Sequence, residues 1–322
     1  MTNVMGIFAL HSRCFVLAAL LGLVTTSAWA VPTDGETRLL RGLEEVESDQ
    51  AVLCPATVGQ EDLGRTVAKL ADQTSAELAS RASGPDTVEV LNRFVFTRLG
   101  IRGSPDLKDP CNLLPSSVLE RKQGYCVGIA ALYLSLAERL QLPIYAVATP
   151  SHVFLRYDDG TTRINIETLQ GGASVPDEQY IREQKIPGKS IRRGVFMRNL
   201  TTDEFLAQVY SNLGVIYSER KGFEKAAVAY ERALDLDAHC PAALYNYGND
   251  LLKTGSYRRA VRLFSKSLRL YPTDVWALNN RGLAYVKLGK REKARSDFEE
   301  ALTIDPGFEQ ATRNLNGMQA PR

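Results

Sequence analysis

Three residues in the middle of the chain have side chains suited to attack on a carbonyl carbon: Cys126, His152 and Glu167. A thiolate is a nucleophile, an imidazole removes and returns protons, and a carboxylate fixes the tautomer of the imidazole. After residue 30 the chain has only one other histidine, His239. The scarcity of histidine favours a chemical role for His152, provided that the fold brings the three side chains together.

Cys126 stands at the start of a stretch that is apolar on nearly every face, from Val127 to Leu136. This pattern is typical of a helix buried inside a domain. A thiol at the helix start meets the positive end of the helix dipole and unpaired N–H groups, which favour the thiolate. Taken alone, the position favours a buried structural cysteine over a nucleophile.

His152 and Glu167 lie on either side of Asp159-Gly160, a strong hairpin signal between two alternating segments. A two-residue turn at this pair places His152 directly across from Glu167, where opposed Cβ atoms are about 4.5–5.5 Å apart. The same register predicts the pairs Val153–Ile166, Leu155–Ile164 and Tyr157–Thr162, with an apolar core face. The other ring nitrogen of His152 is then free for Cys126.

The rest of the first 200 residues shows no repeat and reads as an α+β domain. The periodicity predicts helices near residues 37–52, 61–80, 87–99 and 127–140, and strands near 144–149, 153–157 and 163–169. Residues from Gly171 to about Leu200, with Pro176 and Pro187, are interpreted as a connector.

The last third of the chain repeats every 34 residues. The recurring positions are Gly214, Gly248 and Gly282; Ala226, Ala260 and Ala294; and Tyr230, Phe264 and Phe298. The pattern resembles the tetratricopeptide repeat, a helix-turn-helix unit that packs against its neighbours. Small residues allow close helix approach, and we expect the aromatic residue to fill the groove made with the next unit. A helix is predicted from Thr202, because Thr201 and Glu204 have capping-box spacing.

Three asparagines follow the same 34-residue step: Asn212, Asn246 and Asn280. On the first helix of each repeat they should line the concave surface, where amides can hydrogen-bond an extended peptide. The sequence therefore predicts that the array binds a protein or peptide partner through them, although asparagine also belongs to the ordinary repeat pattern.

The N-terminus has the layout of a secretory signal peptide. Arg13 precedes an apolar run from Cys14 to Val24, and Ala28 and Ala30 form a small-residue cleavage pattern. We expect the mature chain to begin at Val31 and to be periplasmic or secreted, with no stable membrane span after cleavage; an uncleaved anchor is the alternative. In an oxidising compartment four cysteines allow three pairings, of which Cys54 with Cys111 is one.

Composition excludes several functions. Lysine and arginine number 39 against 37 acidic residues, a balance that argues against nucleic-acid binding. No phosphate-binding loop, cofactor fingerprint or metal-ligand cluster is recognisable, so we predict no cofactor and no metal.

Three segments carry a further resemblance: ERKQGYC, ATPSHVFLRYDDG and RINIETLQGG. They resemble the bacterial transglutaminase-like superfamily, in its branch joined to C-terminal tetratricopeptide repeats. The resemblance implies a Cys-His-Asp triad, which maps onto Cys126, His152 and Glu167. Glu167 replaces the usual aspartate, and Asn165, diagonal to His152, is an alternative orienter.

The predicted organisation is a signal peptide over 1–30, a transglutaminase-like domain over 31–175, a connector over 176–200, and three repeats with a capping helix over 201–322. The predicted fold class is α+β, with helices on a small antiparallel sheet, followed by an all-α solenoid. The leading hypothesis is an exported cysteine enzyme that performs acyl transfer or amide hydrolysis through a thioester on Cys126. The alternatives are a non-catalytic scaffold and a redox sensor. The candidate oxyanion donors are the backbone N–H of Cys126 and the side chain of Gln123.

Overall fold

The computed structural model describes residues 37–50, 54, 62–79, 84–104 and 109–319. The predicted signal peptide lies outside the described residues. Within them, helices surround a three-stranded antiparallel sheet in the N-terminal part, and a helical array follows. Among the described residues, no helix is long and apolar enough to cross a membrane.

The N-terminal part is built from short elements. Its helices are α1 (Arg38–Gln50), α2 (Leu63–Ala79), α3 (Gly84–Asn92), α4 (Pro115–Arg121), α5 (Cys126–Arg139), α6 (Asp177–Glu183) and α7 (Gly188–Arg192). Its strands are β1 (Arg102–Gly103), β2 (Gln123–Gly124), β3 (Ile144–Ala148), β4 (Val153–Asp158) and β5 (Arg163–Ile166). The predicted helices and strands are all present, whereas α4, α6, α7 and the β1–β2 pair had not been predicted.

Helix α5 lies at the centre of this part, as its apolar sequence predicts. Every residue from Val127 to Ala137 is buried. Close approach at its first turn depends on Gly128, where a Cβ atom would lie 2.3 Å from the carbonyl oxygen of Asn112. That oxygen also accepts from the backbone N–H of Tyr125 at 2.8 Å. These contacts fix the start of α5, and with it Cys126.

The β4–β5 register differs from the prediction by two residues. Asp158 pairs with Arg163 and Leu155 with Ile166, so the connection is a four-residue loop. The reason is the side chain of Asp159, whose Oδ1 accepts from the N–H groups of Thr161 at 2.8 Å and Thr162 at 2.6 Å. A slip of two residues leaves each side chain on its predicted face, because side chains alternate with period two.

Both faces of the sheet are covered. One face packs on α5, as predicted. The other buries Val147 and Phe154 against Tyr180 and Phe196, in a second hydrophobic cluster. The segment interpreted as a connector therefore folds over the sheet. The face that carries His152 and Glu167 is thereby an interior surface.

Cys54 and Cys111 form a disulfide, with Cα atoms 5.6 Å apart. Of the pairings that four cysteines allow, this one is confirmed. Asn112, which follows Cys111, is the residue whose carbonyl oxygen contacts the first turn of α5. The disulfide thus braces the turn that supports Cys126.

The C-terminal array consists of seven helices: α8 (Thr202–Glu219), α9 (Phe223–Leu236), α10 (Pro241–Lys253), α11 (Tyr257–Leu270), α12 (Val275–Lys287), α13 (Arg291–Ile304) and α14 (Glu309–Gln319). The capping box of Thr201 and Glu204 is present, so α8 begins where the sequence predicted.

Each repeat closes on a glycine–aromatic contact of its own, which the sequence had not predicted. A Cβ on Gly214 would lie 2.3 Å from the ring of Tyr230, and one on Gly282 would lie 2.5 Å from Phe298. The aromatic residue therefore covers the glycine of its own repeat. Tyr230 also stacks on Tyr247 of the next repeat, with ring centroids 5.6 Å apart.

The first array helix is also part of the N-terminal core. Leu206 of α8 packs on Gly42 of α1, and the N–H of Leu200 donates to the carbonyl oxygen of Ala146 at 2.8 Å. The buried side chains of both parts form one continuous cluster.

Candidate active site

Cys126 is the first residue of α5, and its side chain is only partly buried. The preceding residue, Tyr125, is extended and provides no side-chain cap. The sulfur is thus at the positive end of a buried helix, as the sequence predicted. It is also the only free thiol of the described residues that is not fully buried, because the other one, Cys240, is buried.

His152 immediately precedes β4, and its side chain is 15% exposed. Its Nε2 lies 2.8 Å from Oε2 and 3.0 Å from Oε1 of Glu167. An interaction with the side chain of Cys126 also raises the pKa of this imidazole. The imidazole therefore contacts the predicted acid directly and interacts electrostatically with the predicted nucleophile.

The electrostatics of this triad favour a charged imidazole. Burial lowers the pKa of His152, but hydrogen bonds and charge interactions with Cys126 and Glu167 outweigh it and raise the pKa to about 10. Burial raises the pKa of Glu167, yet the hydrogen bonds that this carboxylate accepts hold its pKa below the ordinary range. The arrangement stabilises an imidazolium beside a carboxylate.

Comparison with known protein families identifies both parts of the chain. The model of the transglutaminase-like superfamily matches residues 61–209, and two tetratricopeptide repeat models match residues 212–274 and 275–308. The chain has a transglutaminase-like domain followed by tetratricopeptide repeats. The matched region runs past residue 175 into α8, in agreement with the packing of that helix on the N-terminal core.

Two relatives match over most of the chain. A UPF0162 protein of Xylella fastidiosa strain 9a5c is 28% identical over 225 residues, which is 69% of each chain. Protein SirB1 of Salmonella typhimurium is 22% identical over 293 residues, covering 86% of this chain and 96% of SirB1. Among solved structures, the first tetratricopeptide domain of Spaghetti (RPAP3) bound to an HSP90 peptide is 24% identical, with a TM-score of 0.35, and covers 35% of this chain and 90% of that one.

Tyr180 is a residue of the transglutaminase-like domain that sequence reasoning missed. Its hydroxyl donates to Oε2 of Glu167 at 2.7 Å, and its ring stacks on Phe154 with centroids 4.3 Å apart. The available signal was Pro176 followed by Asp177, which marks a helix start within the supposed connector. That signal predicts the helix but not its contact with the acid.

Asn165 does not orient the imidazole. Its Oδ1 accepts from Nε of Arg156 at 2.8 Å, and its Nδ2 donates to the carbonyl oxygen of Val175 at 2.8 Å and to Oδ1 of Asp177 at 2.7 Å. The alternative orienter is therefore wrong, and the amide serves a buried network around Arg156. Glu167 alone faces Nε2.

The remaining thiol and histidine take no part in the triad. Cys240 is buried, and burial raises its pKa to about 12. His239 is exposed at the junction of the first two repeats. Gln123 lies on β2 and is partly buried. Within the described residues no group of three or more His, Cys, Asp or Glu side chains is arranged to hold a metal ion.

Each of the three repeat asparagines has a hydrogen-bond partner within the array, and for Asn246 and Asn280 the partner lies on a neighbouring helix. Asn212 donates to the carbonyl oxygen of Gln208 at 2.8 Å, within its own helix. Asn280 is 9% exposed, and its Nδ2 lies 3.3 Å from the hydroxyl of Tyr245. Asn246, which is partly buried, lies 3.5 Å from the hydroxyl of Ser211. Binding of a peptide by these amides stays a prediction.

A cleft of about 830 Å³ lies between the transglutaminase-like domain and the repeats. One wall contains Pro150 and Ser151, directly before His152; the opposite wall contains Tyr245, Tyr271 and the half-exposed Trp276. The loop that carries the catalytic candidate therefore borders a surface of the array.

Proposed function

We propose that the protein is an exported cysteine enzyme that cleaves or transfers acyl groups through a thioester on Cys126. The observation that carries this proposal is the contact of Nε2 of His152 with Glu167, on an imidazole that also interacts with Cys126. This is the arrangement of nucleophile, base and orienter on which covalent acyl transfer depends.

In the proposed reaction the thiolate of Cys126 attacks the carbonyl carbon of an amide or ester. The tetrahedral intermediate collapses as the C–N or C–O bond breaks, and His152 gives its proton to the leaving group. Water or an amine then attacks the thioester, His152 takes a proton from it, and the thiolate leaves. The backbone N–H of Cys126 is the proposed oxyanion donor, with Gln123 a further candidate.

Alkylation of Cys126 tests the proposal. The purified protein is treated with iodoacetamide at pH 7, and modification is located by mass spectrometry. We expect rapid labelling of Cys126, slowed about tenfold or more by His152→Ala, since the imidazole stabilises the thiolate. Cys240, which is buried, serves as the internal slow thiol. Labelling of Cys126 as slow as that of a peptide thiol would exclude an activated nucleophile.

The acceptor decides between hydrolase and transferase. Casein and a biotinylated pentylamine are incubated with the protein and with Cys126→Ala. Amine incorporation that requires Cys126 identifies a transferase, whereas release of new peptide ends or ammonia without incorporation identifies a hydrolase.

Export is proposed from the N-terminal sequence and is supported by the disulfide, which persists in oxidising compartments. The test is cell fractionation, with N-terminal sequencing of the mature chain. We expect a periplasmic or secreted protein that starts at Val31. A cytoplasmic protein with its first thirty residues intact would contradict export.

Partner recruitment by the repeats is supported by the cleft, because a peptide held against Trp276 lies beside the loop of His152. The test uses a library of peptides that carry a vinyl sulfone. We expect Trp276→Ala to slow labelling of Cys126 by the peptides while leaving iodoacetamide labelling unchanged. Replacing all three ladder asparagines by alanine tests the other candidate surface in the same assay.

A further inference from the structure

One short helix, α6, contacts both sides of the His152–Glu167 pair. Tyr180 donates its hydroxyl hydrogen to Oε2 of Glu167 at 2.7 Å. Gln184, which directly follows α6, accepts from the N–H and the hydroxyl of Ser151 at 3.3 and 3.0 Å. Because Ser151 precedes His152, the helix is attached to the acid and to the loop of the base.

Helix α6 is itself anchored to the sheet. Its first residue, Asp177, accepts from Nη2 of Arg156 at 2.5 Å and from Nδ2 of Asn165 at 2.7 Å. Arg156 is 1% exposed. A buried guanidinium that lost this acceptor would be left with an under-compensated charge, so the contact resists opening. The anchor fixes the distance between Tyr180 and the sheet.

Two donors converge on one carboxylate oxygen of Glu167. Oε2 accepts hydrogen bonds from Nε2 of His152 and from the hydroxyl of Tyr180. Oε1 accepts one from the N–H of Leu169 at 3.0 Å. If this carboxylate rotated away from the imidazole, it would break hydrogen bonds that it accepts as a charged group, and such bonds are strong. Of the three, the tyrosine hydroxyl is the side-chain contact that can be removed without touching the triad.

We propose that Tyr180 is a positioning residue that holds the carboxylate of Glu167 against Nε2 of His152 and so keeps the imidazole aimed at Cys126. This inference rests on the proposed function. The titratable and charged groups around the imidazole are Cys126 of α5, Glu167 after β5 and Tyr180 of α6.

Asp177 and Arg156 are the charged groups near Tyr180, and they bond to each other rather than to the imidazole. Without the hydroxyl the carboxylate keeps two donors but loses one restraint on its rotation, and any turn away from Nε2 weakens its stabilisation of the imidazolium beside Cys126. The expected signature is therefore a displaced pH profile rather than a simple loss of folded protein.

The experiment measures the rate of Cys126 alkylation by iodoacetamide as a function of pH in Tyr180→Phe. Phenylalanine keeps the ring stacked on Phe154. We expect the rate at pH 7 to fall about tenfold and the pH of half-maximal rate to move upward. The matched control is Tyr157→Phe, which removes a hydroxyl that donates to Asp159 of the hairpin loop at 3.1 Å. This variant should leave the pH profile of alkylation unchanged.

Introducing Tyr180→Phe into the Glu167→Gln variant separates a positioning role from a general structural effect. If Tyr180 acts through Glu167, then Tyr180→Phe has no further effect on the profile of Glu167→Gln. An equal displacement in both backgrounds, or an unchanged or downward-shifted profile in Tyr180→Phe alone, overturns the inference. Slow labelling of the wild-type protein overturns the proposed function and the inference together, so the two failures are distinguishable.

Discussion

Glu167 reaches the imidazole of His152 from a diagonal position, with its Oε2 2.8 Å from Nε2. If the register of β4 and β5 is continued by one pair, Glu167 lies across from Phe154 and not from His152. Diagonal neighbours in an antiparallel pair are about 7–8 Å apart, against about 4.5–5.5 Å for opposed residues. The longer reach explains why a glutamate stands where the superfamily resemblance implied an aspartate.

Shortening this side chain tests the diagonal geometry. In Glu167→Asp the carboxylate retreats by about 1.5 Å, one C–C bond, and the hydrogen bond to Nε2 is lost. We expect labelling of Cys126 at pH 7 to fall about tenfold, as in Glu167→Gln, which keeps the length but removes the charge. The measurement is the alkylation rate of both variants. Wild-type rates in the aspartate variant would show that length is not what the site requires.

The hairpin illustrates how far sequence reasoning extends. Alternation put His152 and Glu167 on one face, and that assignment is correct although the register was wrong. The register depended on Asp159, whose side chain hydrogen-bonds the loop backbone and lengthens the turn. Since Asp-Gly suits both short and longer turns, the spacing of the two segments did not decide between them.

The covered outer face of the sheet was beyond prediction for a different reason. Tyr180 lies 13 residues after Glu167, and their contact exists only because α6 folds back over the sheet. The sequence also did not indicate that Arg156 is buried, because an arginine in a strand ordinarily lies on an exposed face. The repeats, in contrast, were predictable because each unit contacts its neighbours in sequence.

The second prediction concerns the titration of His152. Its pKa is raised to about 10, with Cys126 as one of the two stabilising partners. In Cys126→Ala that partner is absent, so the pKa of His152 should fall below this value while remaining supported by Glu167. Nitrogen-15 NMR of histidine-labelled protein that begins at Val31 measures it, with His239 as the only other histidine signal. An unchanged titration would show that the thiol does not interact with the ring.

The same pKa shift predicts a pH-dependent stability. His152 has a higher pKa in the folded protein than its ordinary value of 6.5, so its stabilising contribution is complete below about pH 6.5 and is lost as the pH rises through about 10. The difference in free energy of unfolding between wild type and His152→Ala should therefore shrink from pH 7 to pH 10. Urea unfolding at several pH values measures it, and a constant difference would contradict the shift.

The anchor of α6 gives the fourth prediction. Asp177→Asn removes the charge that faces Nη2 of Arg156, which is 1% exposed. We expect a loss of about 2 kcal/mol in the free energy of unfolding, because a buried charge loses its ionic partner. Glu45→Gln is the control: its partner Arg232 lies 3.4 Å away and both are half exposed, so the loss should stay below about 1 kcal/mol. Equal losses in the two variants would argue against a structural role for the buried pair.

The glycine–aromatic contact of the repeats gives the last prediction. In Gly282→Ala the new Cβ would lie 2.5 Å from the ring of Phe298, which is fully buried. Overpacking of this kind costs about 1–3 kcal/mol, and it outweighs the gain in helix propensity. Gly317→Ala in α14 meets no atom within 4 Å and should stabilise the protein by up to about 1 kcal/mol. Urea unfolding of the two variants compares them, and because both exchange a helical glycine for alanine, opposite signs isolate the packing of the aromatic ring as the cause.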